Sequence, residues 1–159
     1  MKTRIGFGYD VHRLENGVDF WMGGIKIPHS KGAVGHSDAD VLIHAICDAL
    51  LGAANMGDIG QHFPDTDQKF KGIDSKILLR KVADLISEKG FSIGNIDCTI
   101  CLEKPKLFKY INNIKDCLAN CIGIPIFDIS IKATTSEKMG FVGTQDGVTA
   151  YSVVLIYLD

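Results

Sequence analysis

The sequence lacks three features that define specialised classes of protein. No apolar run reaches the roughly 18 residues that a membrane-spanning helix needs, and no repeat, low-complexity tract or linker is visible along the chain. The net charge is only −2, with 17 Lys and Arg against 19 Asp and Glu. A broad nucleic-acid-binding surface is therefore not expected. We predict partners that include neither a membrane nor a nucleic acid.

The amino terminus also lacks the long apolar stretch of a signal peptide, because "MKTRIGFGYDVH" enters patterned sequence at once. The expected location is the cytoplasm, or a plastid-type organelle if a transit peptide has been removed. Apolar residues make up 46% of the 159 positions, which is enough for a substantial core. A chain of this length suits one domain, so we predict a single domain over 1–159.

Five cysteines are present, an odd number that does not fit a framework of disulfides. Cys98, Cys101, Cys117 and Cys121 spell C-x2-C…C-x3-C, which resembles a structural zinc site. The first pair, however, lies in the strand-like "NIDCTICLE", where positions three apart face opposite sides. The second pair lies on a helical pattern. We therefore interpret these cysteines as buried, reduced thiols.

Apolar periodicity predicts an α+β domain with helices on one face of a sheet. Strands are predicted in "RIGFGYDV", "VDFWMGGIKI", "NIDCTICLE", "DISIKATT" and "TAYSVVLIYLD". The last of these is apolar on both faces and is expected to be central or at an interface. Helices are predicted over 38–54, 74–89 and 105–123, with Ser37 or Asp38 capping the first and Pro105 opening the third. Between the first two helices lies a long irregular loop.

Two short polar patterns predict a metal site. Asp10 and His12 lie one residue apart in "GYDVHRL", so a strand directs both side chains to one face. Asp40, His44 and Asp48 are spaced by four and share a face of the first helix. Taken alone, that row is more simply an Asp–His pair on a solvated face. Together, Asp10, His12 and His44 supply three zinc ligands and leave a fourth position open, with Asp40 orienting His44 from behind.

A second pattern follows the fourth strand, where "KATTSEKMGF" places three hydroxyl residues before Glu137. Hydroxyls and amides that open a helical turn form a phosphate cradle, and the carboxylate is a ligand for a hard cation. A capping box from Thr134 to Glu137 explains the same residues equally well.

Further polar residues flank the first helix. His36 and Ser37 lie beside its amino terminus, where anions are stabilised, and "GDIGQHFPDTD" offers Asp58, Asp65 and Asp67. Each is more often a turn residue than a site residue, but their number in one small chain indicates a polar binding site.

The chain strongly resembles the 2-C-methyl-D-erythritol 2,4-cyclodiphosphate synthase family of the non-mevalonate isoprenoid pathway. The matching segments are "GYDVHRL", "GHSDADVLIHAICDALLGAANMGDIGQHFPDTD", "FKGIDSKILLR", "GNID", "PK" and "IKATTSEKMGFVG". The resemblance implies a four-stranded main sheet, and a homotrimer whose three sheets pack around the three-fold axis with active sites between subunits. It implies cyclisation of 4-diphosphocytidyl-2-C-methyl-D-erythritol 2-phosphate, by attack of the 2-phosphate on the β-phosphate, with release of CMP.

The resemblance also assigns roles by position. Zinc is assigned to Asp10, His12 and His44, and a second divalent cation, Mg²⁺ or Mn²⁺, to Glu137. The two residues that stabilise the transition state are His36 and Thr135.

Substrate contacts follow the same matches. Those near the 2-phosphate and the zinc are Asp10, His12, His36 and Ser37. Those of the methylerythritol pocket and its mobile loop are Asp58, Ile59, Gly60, Phe63, Pro64, Asp65, Thr66 and Asp67. Those of the cytidine segment, contributed by a neighbouring subunit, are Leu102, Glu103, Lys104, Pro105, Lys106, Leu107 and Phe108. The remaining matched positions are Ala133, Thr134, Thr135, Ser136, Glu137, Phe141 and Thr144.

One position departs from the family. Many members carry an arginine where this chain has Thr144, and that arginine is associated with isoprenoid diphosphate binding in the central cavity of the trimer. Phe141 keeps its apolar character, but "GTQDG" supplies Asp146 and no cation. We expect weak or no isoprenoid diphosphate binding, without consequence for the chemistry.

Two other functions compete with cyclisation. A zinc-dependent phosphohydrolase would use the same ligands with a bound water and release free phosphate or a linear product. A non-enzymatic trimer would use zinc structurally, and chelation would then unfold it.

Overall fold

The structure, a computed structural model, describes residues 2–158. Its seven strands are β1 (Lys2–Asn16), β2 (Phe20–Met22), β3 (Ile25–Ile27), β4 (Lys31–Val34), β5 (Phe91–Cys101), β6 (Ile129–Thr134) and β7 (Gly147–Leu158). Its five α-helices are α1 (Val41–Ala53), α2 (Ile59–His62), α3 (Ser75–Glu88), α4 (Ile111–Ile122) and α5 (Gly140–Gly143). Short 3-10 turns lie at Gln68–Phe70, Phe108–Tyr110 and Ile126–Asp128. The fold is α+β, as predicted.

The main sheet has five strands in the order β4-β1-β7-β5-β6, so the predicted four-stranded sheet is wrong by one strand. Strands β5 and β6 are parallel, and the other neighbours are antiparallel. The additional strand, β4, pairs with the end of β1 from Arg13↔Val34 to Asn16↔Lys31. Its four residues, Lys-Gly-Ala-Val, are too few to show the alternation by which a strand is recognised.

The second predicted strand is split into the hairpin β2–β3, which forms a separate two-stranded sheet. Gly23 and Gly24 make its turn with φ of 60° and 82°, a conformation that favours glycine. Both amides donate to the carboxylate of Asp40, which is fully buried and also accepts from the amide of Ile43. Asp40 is therefore the N-cap of α1 and the anchor of the hairpin. Its predicted role behind His44 is wrong, because its hydrogen bonds lead away from that imidazole.

The remaining helix boundaries follow from local capping. The predicted caps of the first helix, Ser37 and Asp38, lie before the true cap. The second long helix, α3, begins after its N-cap Asp74 and is followed by the left-handed Gly90, as predicted. The third long helix, α4, does not begin at Pro105, because a 3-10 turn intervenes before Ile111.

Strand β1 and helix α1 approach so closely that their backbones touch. A Cβ atom on Gly6 would lie 1.8 Å from the carbonyl oxygen of Ala49, and one on Gly8 would lie 1.9 Å from that of Ala45. Only glycine allows this approach, and the small alanines of α1 complete the contact. As a result His44, on α1, comes within reach of the side chains of β1.

Strand β7 lies between β1 and β5 and is central, as predicted. Its alternate residues from Val148 to Ile156 are buried beneath α1, whereas the opposite face of the sheet exposes Ile5, Phe7 and Val153. The long helices thus occupy one face, as predicted. Within residues 2–158 the structure contains no helix with the length and apolar character required to cross a membrane.

We predict that Gly8→Ala destabilises the protein by about 3 kcal/mol or more, because the added methyl group forces α1 away from β1. Urea unfolding measures this change. The matched control is Gly52→Ala in α1, where an added Cβ meets nothing within 4 Å. It should be neutral or stabilising by up to about 1 kcal/mol. Equal stability of Gly8→Ala and the unmutated chain would contradict the close contact.

Candidate active site

Three ligand atoms converge where β1 meets α1. Nε2 of His12 lies 2.9 Å from Oδ2 of Asp10, and Nδ1 of His44 lies 3.1 Å from the same oxygen. The two imidazole nitrogens are 3.2 Å apart. Four tetrahedral ligands of zinc, at about 2.0–2.2 Å from the ion, lie roughly 3.3–3.6 Å from one another, slightly farther apart than these three atoms. The residues therefore fit a divalent metal ion, with one position left for another ligand.

This triad is the only group of three or more His, Cys, Asp or Glu residues suited to a metal within the described chain. The five cysteines are free thiols. The thiol of Cys98 contacts Ser152 in the core, and burial raises its pKa to about 12. Cys47, Cys98 and Cys121 are buried, as interpreted, whereas Cys101 and Cys117 are only half-buried.

The unpredicted strand β4 orients His12. Nδ1 of His12 lies 3.0 Å from the carbonyl oxygen of Val34, which can only accept a hydrogen bond. A proton is therefore held on Nδ1, and Nε2 is the nitrogen that would bind a metal ion. Sequence reasoning missed this contact because the acceptor is a backbone carbonyl, which every residue type carries.

The metal-free triad is an ion-pair cluster. Burial opposes ionisation of Asp10, but hydrogen bonds from His12 and His44 outweigh it and lower the pKa of the carboxyl group to about 2. Burial likewise opposes protonation of His12, yet the hydrogen bond and the charge of Asp10 raise the pKa of its imidazole.

The far side of His44 contacts two hydroxyl groups that sequence reasoning did not connect with it. Nε2 of His44 lies 3.0 Å from Oγ of Ser75 and 3.1 Å from Oγ of Ser37. Ser75, the first residue of α3, is fully buried and also contacts the carboxylate of Asp38. The signal in the sequence was weak for Ser75, because it lies 31 positions from His44 and 37 positions from Asp38.

Asp48 anchors the loop that follows α1. Its carboxylate accepts a 2.8 Å hydrogen bond from the amide of Ile59, at the start of α2. Burial and the nearby carboxylates of Asp58 and Asp10 raise the pKa of Asp48, against the effect of this hydrogen bond. The predicted polar row of α1 thus performs three separate tasks: Asp40 caps, His44 joins the triad and Asp48 fixes the loop.

A cavity of about 410 Å³ contains the two histidines of the triad and most of the predicted pocket. Nε2 of His36 is buried and has no hydrogen-bond partner within residues 2–158. An unpartnered buried nitrogen is costly unless a ligand satisfies it. The predicted site residues that line this cavity are His12, His36, Ser37, His44, Ile59, Gly60, Phe63, Pro64, Asp65 and Thr66.

Two predicted residues of the same loop do not line the cavity, because each caps a short helix. The carboxylate of Asp58 accepts from the amide of Gln61, and that of Asp67 accepts from the amide of Lys69.

A second cavity, of about 620 Å³, brings the predicted cytidine segment to the end of β6. Among the residues that the structure describes, the two cavities share no lining residue. The predicted site residues that line the second cavity are Leu102, Pro105, Lys106, Leu107, Phe108, Ala133, Thr134 and Thr135.

Glu103 shapes the turn beside this cavity. Its carboxylate accepts from the amides of Ser136 and Lys138 at 3.0 and 3.2 Å. These hydrogen bonds lower the pKa of Glu103 and hold Glu137 and Lys138 in the left-handed region, with φ of 54° and 63°. Such strained backbone persists only where the surroundings enforce it.

The hydroxyl group of Thr135, rather than that of Thr134, contacts the carboxylate of Glu137, at 3.2 Å. The capping box from Thr134 is therefore wrong. The short helix α5 begins only at Gly140, and its last turn is closed by Thr144, which donates to Asp146 at 2.5 Å. Phe141, on the same helix, packs against Gly147.

We predict that the stability lost on Asp10→Asn in the metal-free protein depends on pH. The lowered pKa of Asp10 stabilises the fold above about pH 4, and this contribution is lost as pH falls towards 2. The raised pKa of His12 stabilises it below about pH 6.5, and that contribution is lost as pH rises through the folded value. The penalty should therefore be greater near pH 5.5 than near pH 8.5.

Urea unfolding in the presence of a chelator measures this penalty. Asp97→Asn is the control, because its partner Lys132 stays charged at both pH values. Equal penalties of Asp10→Asn at the two pH values would contradict the coupling.

Known proteins resemble this chain over nearly its whole length. The YgbB family model matches residues 3–157. A curated relative from Bacteroides thetaiotaomicron, named 2-C-methyl-D-erythritol 2,4-cyclodiphosphate synthase, is 59% identical over 159 residues and covers 100% of both chains.

Solved structures agree with this match. A 2C-methyl-D-erythritol-2,4-cyclodiphosphate synthase in a CDP-bound form superposes with a TM-score of 0.90 at 37% identity, covering 97% of this chain and 100% of that one. The bifunctional IspDF from Campylobacter jejuni gives a TM-score of 0.95 at 39% identity, covering 99% of this chain and 43% of that one. With a family model matched over nearly its whole length, the chain belongs to the YgbB family.

Proposed function

We propose that this chain converts 4-diphosphocytidyl-2-C-methyl-D-erythritol 2-phosphate into 2-C-methyl-D-erythritol 2,4-cyclodiphosphate and CMP. The observation that carries the proposal is the convergence of Asp10, His12 and His44 beside a cavity that is also lined by His36. The name shared by the curated relatives supports the reaction, and the CDP-bound neighbour supports a cytidine diphosphate substrate.

The reaction joins two phosphates of one molecule. An oxygen of the 2-phosphate attacks the β-phosphorus, and the bond from that phosphorus to the bridging oxygen of CMP breaks. No water is consumed. A phosphate is already nucleophilic near neutral pH, so the protein has to align the two groups and offset the repulsion between their charges rather than supply a strong base.

The triad residues are the proposed zinc ligands. Zinc bound there supplies Lewis-acid polarisation of a phosphate oxygen. His36 lines the same cavity, and its imidazole is the proposed donor of a hydrogen bond to a phosphate oxygen as charge develops.

Thr135 and Glu137 are the proposed groups on the leaving-group side. The exposed carboxylate of Glu137 is a suitable ligand for Mg²⁺ or Mn²⁺, which offsets charge on the departing CMP. Glu103 holds the turn that presents both residues. The hydroxyl of Thr135, now directed to Glu137, is available to a phosphate oxygen once a cation occupies that carboxylate.

The loop from Asp58 to Asp67 is the proposed methylerythritol pocket. Asp48 fixes its beginning, and Phe63 packs edge-on against Phe70 with ring centroids 5.4 Å apart. An apolar wall of this kind excludes water, which would otherwise compete with the 2-phosphate as the nucleophile.

We also propose a homotrimer with active sites between subunits. The triad cavity and the cytidine cavity are separate within one chain, so a single site that uses both requires a neighbour. The sheet face opposite α1 exposes Ile5 at 72%, Phe7 at 63% and Tyr9 at 43%. A contiguous exposed apolar surface of this kind is typical of a protein interface.

Incubation with the cytidyl substrate, zinc and magnesium in ¹⁸O-labelled water tests the reaction. We expect CMP and a cyclic product without ¹⁸O. Free phosphate or a labelled linear product would instead identify a phosphohydrolase.

His44→Ala should reduce turnover more than about 100-fold, since the loss of even an outer partner of a metal ligand costs 10–100-fold. The protein should still fold, as urea unfolding will show. His29→Ala, in the turn between β3 and β4, is the matched control and should retain turnover. Near-normal turnover by His44→Ala would remove this residue from the mechanism.

Phe7→Lys should convert the trimer to monomers and abolish turnover, because it places a charge in the proposed interface. Light scattering after size exclusion measures the mass. Phe127→Lys, at a side chain that is 81% exposed in the turn before β6, is the control and should remain trimeric. Chelation should leave the trimer intact, since the triad faces α1 rather than the exposed face. A trimeric Phe7→Lys, or dissociation by chelator alone, would contradict this assembly.

A further inference from the structure

The outer nitrogen of His44 begins a chain of hydrogen bonds that ends on a carboxylate. Nε2 of His44 lies 3.0 Å from Oγ of Ser75, and that hydroxyl group contacts Oδ1 of Asp38. The second oxygen of Asp38 accepts from the backbone amide of Ser75 at 2.9 Å. Asp38 therefore binds both the hydroxyl group and the backbone amide of Ser75.

The chemistry of these groups fixes the direction of the chain. Ionised Asp38 can only accept, so the Ser75 hydroxyl donates its proton to Asp38 and offers its lone pairs to His44. Nε2 of His44 must then carry the proton and donate it to Ser75. Nδ1, the atom 3.1 Å from Asp10, is then the nitrogen that would give its lone pair to a metal ion in place of its hydrogen bond to Asp10.

We propose that Ser75 and Asp38 are positioning residues that hold the His44 ring and its proton in the arrangement required for metal binding. The inference rests on the proposed metal centre and adds to it two residues that are neither proposed metal ligands nor proposed substrate contacts. A hydrogen-bonded partner on the outer nitrogen of a ligating histidine typically fixes its tautomer and strengthens binding.

Ser37 does not explain the arrangement by itself. Its hydroxyl lies 3.1 Å from the same nitrogen, but it is only half-buried and lines the open cavity. It accepts from the amide of Ala39, and its own proton has an acceptor in Oγ of Ser75, 3.5 Å away. Ser75 is fully buried and is aligned by Asp38. The geometry therefore assigns the positioning of the His44 ring to Ser75.

The test is zinc affinity, measured by competition with a chromophoric chelator at constant pH. Ser75→Ala should weaken binding about 10–100-fold. Ser75→Thr keeps the hydroxyl and should bind within a few-fold of the unmutated chain. Asp38→Asn should weaken binding at least as much as Ser75→Ala, because its amide can donate to Ser75 and so favour the opposite tautomer. Ser87→Ala, an exposed serine in the same helix, is the control and should have no effect.

A spectroscopic measurement separates positioning from general structure. In the zinc-loaded protein, the Nε2–H of His44 should give a slowly exchanging ¹⁵N–¹H signal, and Ser75→Ala should lose it while its amide spectrum stays native-like. Zinc affinity of Ser75→Ala within two-fold of the unmutated chain would overturn the inference, as would a Ser75→Thr protein that binds as weakly as Ser75→Ala.

If Ser75→Ala does not fold, Asp38→Asn is judged by the same two criteria. Failure of the unmutated chain to bind zinc would overturn the proposed metal centre together with this inference. Zinc binding that is indifferent to Ser75 and Asp38 overturns the inference alone.

Discussion

The contact between β1 and α1 is the constraint on which the rest of the structure depends. Gly6 and Gly8 allow the helix backbone to lie directly on the strand, closer than any side chain would permit. Asp10 and His12 extend from the same strand face, and His44 extends from the helix. The spacing of the three side chains therefore depends on a direct backbone contact within a close-packed interior of low compressibility.

The three triad residues were predictable because each follows from a short local period. Asp10 and His12 are two apart on a strand, and His44 belongs to a four-residue helical row. Their convergence was expected from the family resemblance and is confirmed by the fold. The role of Asp40 was not predictable in this way, since spacing places it beneath His44, while two glycine amides from another element bind its carboxylate.

What the sequence could not reveal shares one physical cause. β4 is too short for a period, the carbonyl of Val34 has no residue signature, and Ser75 meets His44 only because α3 packs against α1. These are the contacts that orient the ligands rather than supply them. Short local patterns in the sequence indicate which residues can be ligands, whereas the orientation of those ligands depends on tertiary contacts between distant segments.

Helix α1 carries His44 and, one turn later, Asp48, whose carboxylate holds the amide of Ile59. This hydrogen bond ties the start of the proposed substrate loop to the same rigid helix that carries His44, at a rise of about 6 Å along the helix axis. A tilt of α1 moves both positions together and preserves their separation. Changes in loop length or composition beyond Ile59 would therefore leave the distance from the triad to the start of the loop unchanged.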